Sequence, residues 1–332
     1  MNLETTYLGL PLRTPLVVSA SPLTDEGDNV KRMADAGASA IVFHSLFEEQ
    51  LRQEHLQRLA REVTERPVAE SASSAPADKT WMTGSNRYLR QIEAAKRTVQ
   101  IPIIASLNGT TFGGWTTFAR ALESAGVDAL ELNIYSIPTD PETASDEIEL
   151  SYLTILASLK AQVKIPIAVK LAPFFTNLSR FAHQLDQHGA DGLVLFNRFY
   201  QPDIDVDSLT VSPTLQLSTP EAARLPLRWI AMLYGRIRAN LAATSGIHRG
   251  IDAFKMLLAG ADVTMLCSVL MQRGISHIST IERELTELMR KHEFNSVAEL
   301  RGKLSHQNAA DPGAFERAQY LRVVGTEPSA PE

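Results

Sequence analysis

The sequence predicts an α/β chain folded as one (β/α)8 (TIM) barrel. Three observations carry that reading: eight short apolar runs recur along the 332 residues, polar helical stretches separate most of them, and the junctions into the runs alternate between proline and glycine. Residues 1–14 precede the repeat, and Tyr7-Leu8-Gly9-Leu10-Pro11-Leu12 is expected to form a short hairpin closing the bottom of the barrel. Pro15 then introduces Leu16-Val17-Val18, where a strand's first residue can lack an N–H. Ala36-Gly37-Ala38 follows a polar helical stretch and precedes Ile41-Val42-Phe43, as a left-handed glycine cap would before a buried strand. Pro102 opens Ile103-Ile104-Ala105, Ala125-Gly126-Val127 leads into Ala129-Leu130-Glu131-Leu132, and Pro166 opens Ile167-Ala168-Val169. His188-Gly189-Ala190 precedes Leu193-Val194-Leu195, the seventh run Asn240-Leu241-Ala242-Ala243 is unmarked, and Ala259-Gly260-Ala261 precedes Val263-Thr264-Met265-Leu266. Helical patterns such as Phe118-Ala119-Arg120-Ala121-Leu122-Glu123 between the runs make the strands parallel. An open doubly wound sheet is the competing architecture, and no G-x-G-x-x-G follows the first strand to support it.

Three further segments stand outside the repeat. Arg66 to Thr80, with Ser71-Ala72-Ser73-Ser74-Ala75-Pro76, reads as a mobile surface loop, and Arg198 to about Arg228 as an insertion after strand six, long enough to roof or flank the active face. Residues 325–332 read as a disordered tail, leaving residues 1–324 as a single barrel domain.

A formal charge of -6 argues against nucleic acid or an anionic membrane as partner and leaves a small molecule as the default ligand. Cys267 is the sole cysteine, so this chain alone forms no intrachain disulfide, Cys-based zinc site or iron–sulfur cluster. The start, Met1-Asn2-Leu3-Glu4-Thr5-Thr6, lacks the regions of a signal peptide, and no apolar run nears the roughly 20 residues that span a bilayer. The expected location is the cytoplasm. His44, Glu48, Glu49, Glu54 and His55 do not match a helical metal-binding spacing, and no metal is expected.

Chemistry in such barrels sits at the C-terminal ends of the strands. The polar residues ending the runs are Ser19 and Ser21, His44 and Ser45, Asn108, Asn133 and Ser136, Lys170, Asn197, Thr244 and Ser245, and Ser268. Polar groups at that depth are costly unless paired, so the set points to a ligand with many hydrogen-bonding atoms. Lys170 lies inside an apolar strand and is either a Schiff-base nucleophile or a fixed cation beside an electron-rich cofactor ring. Thr244-Ser245-Gly246-Ile247 and Cys267-Ser268 have the small residues of a phosphate grip, which suits FMN or a phosphorylated substrate alike.

In their order along the chain these motifs resemble the dihydroorotate dehydrogenases, over nearly the whole barrel. Ser19-Ala20-Ser21 is similar to the first flavin-contacting strand end, Glu131-Leu132-Asn133-Ile134 to the strand before the catalytic loop, and Val169-Lys170-Leu171-Ala172-Pro173 to the strand bearing the flavin lysine. Phe196-Asn197 resembles a substrate-binding strand end. Thr244-Ser245-Gly246-Ile247 with Asp252-Ala253-Phe254 and Leu258-Ala259-Gly260-Ala261 resembles the phosphate region, the most specific stretch. The resemblance implies FMN held by Ala20, Ser21, His44, Ser45, Asn108, Asn133, Lys170, Thr244, Ser245, Gly246, Cys267 and Ser268, with Asn133 and Asn197 on the substrate. It implies oxidation of dihydroorotate in pyrimidine biosynthesis: a base takes the C5 proton while hydride leaves C6 for the flavin. Ser136 stands where the family keeps its catalytic Cys or Ser and needs a relay through water or a hydroxyl such as Thr139; Lys170 stabilises charge on the reduced flavin.

The departures fall on the substrate side. His44 replaces a flavin- and substrate-contacting Lys, Ile137-Pro138 replaces the usual Pro-Asn, Arg198 replaces a small residue, and Asn86 is a third candidate asparagine. Competing readings are an FMN enzyme acting on another pyrimidine-like or carbonyl-conjugated substrate, a Schiff-base lyase using Lys170, and a flavin-binding protein without catalysis. The resemblance also implies a homodimer. Quinone-using members carry an N-terminal extension not seen here, and NAD-using members rely on a separate iron–sulfur flavoprotein, so fumarate or a separate electron-acceptor protein is expected to take the electrons.

Overall fold

A computed structural model describes residues 1–53, 84–110, 114–198, 201–212 and 216–316. Eight parallel strands close into a barrel in the order β3 (Leu16–Val18), β4 (Ala40–Phe47), β5 (Ile103–Asn108), β6 (Ala129–Asn133), β7 (Ile167–Leu171), β8 (Gly192–Leu195), β11 (Asn240–Thr244) and β12 (Val263–Leu266), with β12 pairing back onto β3. Each of the eight apolar runs is one of these strands, and an open sheet is thereby excluded. The segment Arg66 to Thr80 and the tail 325–332 lie outside the described residues, and no helix of the described residues is long and apolar enough to cross a membrane.

The glycine junctions share one cap. Gly37, Gly126, Gly189 and Gly260 all have positive φ, between 88° and 124°. In each case the following residue's N–H reaches back five residues, as in Ala38 N to Met33 O at 3.0 Å and Ala261 N to Met256 O at 2.9 Å. This is the Schellman closure, which satisfies the last helical carbonyls and turns the chain directly into a strand. One residue further on, a short polar side chain accepts an N–H at or near the start of the neighbouring strand. Asp128 accepts from Ile103 N, Asp191 from Ile167 N and Asp262 from Leu241 N, each at 2.7 Å. Ser39 accepts from Thr14 N at 2.8 Å. The aspartates are matched by cations: Lys96 on Asp128 at 2.6 Å, Lys160 on Asp191 at 2.8 Å, and Arg301 on Asp262.

The expected N-terminal hairpin is β1 (Thr5–Tyr7) against β2 (Leu10–Leu12). Its Tyr7, Leu8 and Leu12 pack on the interior-facing Val17, Val42, Ile104 and Val194, filling the base of the barrel. Asn240 Oδ1 accepts from Leu8 N at 2.8 Å and pins the turn. A larger apolar layer joins the outer faces of the strands to the surrounding helices.

The insertion after the sixth barrel strand carries a second antiparallel pair, β9 (Asp203–Asp205) and β10 (Thr210–Ser212). It ends at Ala223, five residues before Arg228, because Arg224–Leu233 is already a barrel helix. Pro226 sits in that helix's first turn, where its missing N–H costs nothing, and Ile230, Ala231 and Leu233 form the buried face.

Candidate active site

Strand geometry decides which polar residues meet at the C-terminal end. In β6 the alternation that buries Ala129 in the barrel interior turns Glu131 and Asn133 to the same side. In β7 it turns Ala168 and Lys170 inward. Lys170 Nζ donates to Glu131 Oε1 at 3.1 Å, with the two side chains 9% and 1% exposed. Glu131 Oε2 has no partner and is buried. Tyr7 reaches this region from below with a hydroxyl that also lacks a partner. Burial, then the Glu131 charge, push the Tyr7 hydroxyl well above the ordinary tyrosine range and keep it neutral. Lys170 is therefore the cation answering Glu131, and its field opposes the upward push that burial gives the Cys267 thiol at the end of β12.

The asparagines form a second group. Asn108, Asn133 and Lys170 are successive register partners across β5, β6 and β7. Asn197, placed by its N–H on Leu171 O at 2.7 Å, donates through Nδ2 to Asn133 Oδ1 at 3.0 Å. That leaves Asn133 Nδ2 as donor and Asn197 Oδ1 as acceptor for a ligand. Asn86 lies exposed on the helix Ser85–Thr98, away from these contacts.

His44 and Ser45 are separated by an irregularity that a strict alternation would not show. The β4–β5 register slips between Val42 and Ser45, so Ser45 pairs with Ser106 and their hydroxyls lie 2.8 Å apart. His44 instead packs edge-on to Tyr88 at 5.0 Å, its N–H donating to Thr24 Oγ1 at 2.8 Å and its Nδ1 lying 3.4 Å from that hydroxyl. Burial lowers its pKa, Asp25 opposes that shift and Arg87 adds to it. Nε2 is buried with no partner. Ser21 Oγ is in the same condition, while Ser19 ties β3 to β12 through its N–H on Leu266 O at 2.9 Å, with Ala20 between them half-buried.

At the ends of β11 and β12, Ser245 and Gly246 have consecutive positive φ of 76° and 77°. A Cβ at Gly246 would run into the backbone of Ala223, so only glycine suits the turn. Gly246 N donates to Ser218 Oγ at 3.3 Å, and Ser218 binds Ser268 Oγ through its N–H at 3.0 Å and its hydroxyl at 2.9 Å. Thr244 is buried beside them and Cys267 half-buried. His248 follows, buried, its Nε2 without a partner and its pKa lowered mainly by burial.

Ser136 is half-buried on the loop after β6, and among the described residues no hydrogen bond links it to Lys170 or Asn133. It lines a cavity of about 500 Å³ with Ile137, Pro138, Ile148, Tyr152 and Phe175. Tyr152 donates to Ile134 O at 2.8 Å, and burial pushes its pKa up to about 12. Thr139, the hydroxyl expected to relay a proton, is exposed. Among the described residues no three or more His, Cys, Asp or Glu side chains gather to hold a metal ion.

Three participants were missed at the level of sequence: Glu131, Ser218 and His248. Glu131 had a signal, a charge inside an apolar strand. Ser218 had none, lying in an insertion without periodicity. The unpartnered Ser21 Oγ, His44 Nε2 and His248 Nε2, with the Ser245–Gly246 turn, fit a ligand rich in hydrogen-bonding atoms and an anionic group.

Comparison with known proteins gives a consistent result. The family model described as dihydroorotate dehydrogenase matches residues 2–289. The catalytic subunit of dihydroorotate dehydrogenase B (NAD(+)) from Thermoplasma volcanium is 25% identical over 317 residues, covering 91% of this chain and 98% of the relative. Dihydroorotate dehydrogenase A (fumarate) from Lacticaseibacillus paracasei is 33% identical over 174 residues, 48% of this chain and 57% of the relative. The chloroplastic dihydropyrimidine dehydrogenase (NADP(+)) of Arabidopsis thaliana is 23% identical over 332 residues, 91% of this chain and 76% of the relative.

Proposed function

The chain belongs to the dihydroorotate dehydrogenase family, and from that premise we propose that it is an FMN-dependent oxidoreductase acting on a CH–CH bond of a dihydropyrimidine. The observation that carries this reading is the Lys170–Glu131 pair set beside the Asn133–Asn197 pair, at 3.1 Å and 3.0 Å, at the C-terminal end of the barrel. FMN, when bound, supplies a two-electron acceptor. Ala20, Ser21, His44, Ser45, Asn108 and Asn133 line its ring side, and Thr244, Ser245, Gly246, Cys267 and Ser268 grip its phosphate. Lys170 holds a fixed positive charge against the electron-rich ring edge. Asn133 and Asn197 orient the substrate, and Ser136 takes the proton from C5, passing it to water since Thr139 is exposed.

Dihydroorotate is the reference substrate, as it is in the names of most of the relatives, and the reaction then belongs to pyrimidine biosynthesis. A second reading, another pyrimidine, is favoured by His44, which offers a neutral ring nitrogen. The Schiff-base lyase loses ground to Glu131: an ammonium bonded to a buried carboxylate is the opposite of the unpaired, desolvated amine that such chemistry needs. Electrons pass to fumarate or to a separate acceptor protein, and the enzyme works as a homodimer in the cytoplasm. The test is the visible spectrum of the purified protein before and after anaerobic dihydroorotate, with the released cofactor identified. A flavin band that bleaches, and bleaches more slowly in Ser136→Ala, supports the reading; a colourless protein that cannot be reconstituted with FMN refutes it.

A further inference from the structure

Among the described residues Lys170 makes one hydrogen bond, to Glu131 Oε1 at 3.1 Å, and two of an ammonium's three donors are left for other partners. The pair has a direction. In the β6–β7 register Lys170 stands opposite Asn133 and Glu131 opposite Ala168, so the lysine is rooted two residues nearer the C-terminal mouth and reaches back to a deeper carboxylate. Their exposures, 9% and 1%, agree with this. So do the groups that each charge acts on: Glu131 on Tyr7, from the hairpin at the base, and on Tyr88, from the helix Ser85–Thr98, but Lys170 on Cys267 at the end of β12.

Those three neighbours cannot stand in for Glu131. Burial is the largest cause at each and pushes all three up, opposed at Tyr88 by its bond with Ser106 and at Cys267 by the Lys170 charge, so at neutral pH all are uncharged. Asn108 and Asn133, the next register partners, are neutral amides. An ammonium buried here without Glu131 would be costly, and releasing its proton relieves the cost.

We propose that Glu131 is the positioning residue that keeps Lys170 an ammonium at the flavin ring and so sustains the flavin's midpoint potential at neutral and alkaline pH. A cation there favours the more negative, reduced ring and raises the potential; a neutral amine does not. This rests on the reading of the site as an FMN site.

The test compares the wild type with Glu131→Gln, Glu131→Asp and the double variant Lys170→Met/Glu131→Gln, each checked for folding by circular dichroism. In the flavin-free proteins, NMR of lysine labelled with carbon-13 at Cε reads the charge of Lys170, its signal assigned by its absence from Lys170→Met. The wild type and Glu131→Asp should keep Lys170 charged through about pH 9, while Glu131→Gln should lose the charge between about pH 6 and 8. With saturating FMN, an anaerobic redox titration reads the midpoint potential. At about pH 8.5 Glu131→Gln should favour the reduced flavin at least tenfold less than the wild type, about 30 mV for two electrons, and match the double variant. At about pH 5.5 it should rise clear of the double variant, and Glu131→Asp should follow the wild type throughout. Glu131→Met, which removes the charge and keeps the length, takes the place of Glu131→Gln should that variant not fold. A Lys170 that stays charged through about pH 9 without Glu131 would overturn the proposal. So would a Glu131→Gln potential that runs parallel to the wild type at every pH. If Lys170 titrates as expected in a protein that takes up no FMN, the flavin reading falls and the charge-holding role of Glu131 stands.

Discussion

Cutting one side of the Lys170–Glu131 pair tests the core of the site. At 3.1 Å and with both side chains nearly fully buried, the pair's direct attraction is about 5 kcal/mol at an effective dielectric of roughly 20. Most of that offsets desolvation, so the net worth of the pair against an apolar replacement is small. Removing one partner is different. Lys170→Met leaves Glu131 charged and buried, with an oxygen already unpartnered and only the neutral Tyr7 hydroxyl in its field. The expected loss is about 3–5 kcal/mol. Glu131→Gln strands Lys170 in the same way. In the double variant Lys170→Met/Glu131→Gln neither charge remains, and the loss should shrink to about 1–2 kcal/mol, giving a coupling of about 4 kcal/mol or more. Denaturant unfolding of the flavin-free protein, followed by circular dichroism, measures all three. Strictly additive losses, with coupling below about 0.5 kcal/mol, would show that the two groups do not hold one another and that Lys170's charge is not fixed by Glu131. Lys170→Met and the double variant should both lose flavin affinity, since the cation proposed to face the ring is absent from each.

Two further outcomes follow from the same geometry. His44 and His248 are buried with pKa values below the ordinary 6.5, so the unfolded chain takes up protons that the folded one refuses. Their contribution is complete above about pH 6.5 and is lost as pH falls towards the lowered folded values, with a slope of up to about 1.4 kcal/mol per pH unit for each histidine; His44→Gln should remove one histidine's share of that slope in unfolding midpoints. At Gly246, with φ of 77° and Ala223's backbone against it, Gly246→Ala should cost roughly 1–3 kcal/mol and release flavin, read as fluorescence freed on gel filtration.

The parts of the fold that the sequence announces are those marked by residues with one backbone use. Proline just before a strand and glycine after a helix's last turn mark seven of the eight barrel strands, all but Asn240–Thr244, because Pro166 and Gly189 have few other places to go. Side-chain partnerships were less visible. The Asp that follows each of three glycine junctions by two positions repeats as clearly as the glycine, yet its role depends on the neighbouring strand's N–H, which no local pattern encodes. His44 and Ser45 follow one another at a strand end and were read as one pair. The register slip before Ser45 gives them different surroundings, and a bulge has no signature in an otherwise apolar run. The insertion's end was placed too late because the helical pattern of Arg224–Leu233 begins with Leu225-Pro226, which reads as loop until the helix is seen to tolerate Pro in its first turn.

Charged groups at the N-terminal end of the barrel are largely spent on the fold, although the Tyr7 hydroxyl and Asp262 Oδ1 are also buried there without a hydrogen-bond partner. At the N-terminal end Asp128 and Asp191 each receive both a strand N–H and a lysine, so their charges work for the fold. At the C-terminal end Ser21 Oγ, His44 Nε2 and His248 Nε2 are buried with nothing to bind, and the chain interior adds Glu131 Oε2. Each such atom costs about 1–3 kcal/mol. A sequence free to optimise stability would replace them with apolar groups of the same shape. Ser21 Oγ, His44 Nε2 and His248 Nε2 lie on the face where the proposed ligand would complete them, which accords with the general layout of such barrels.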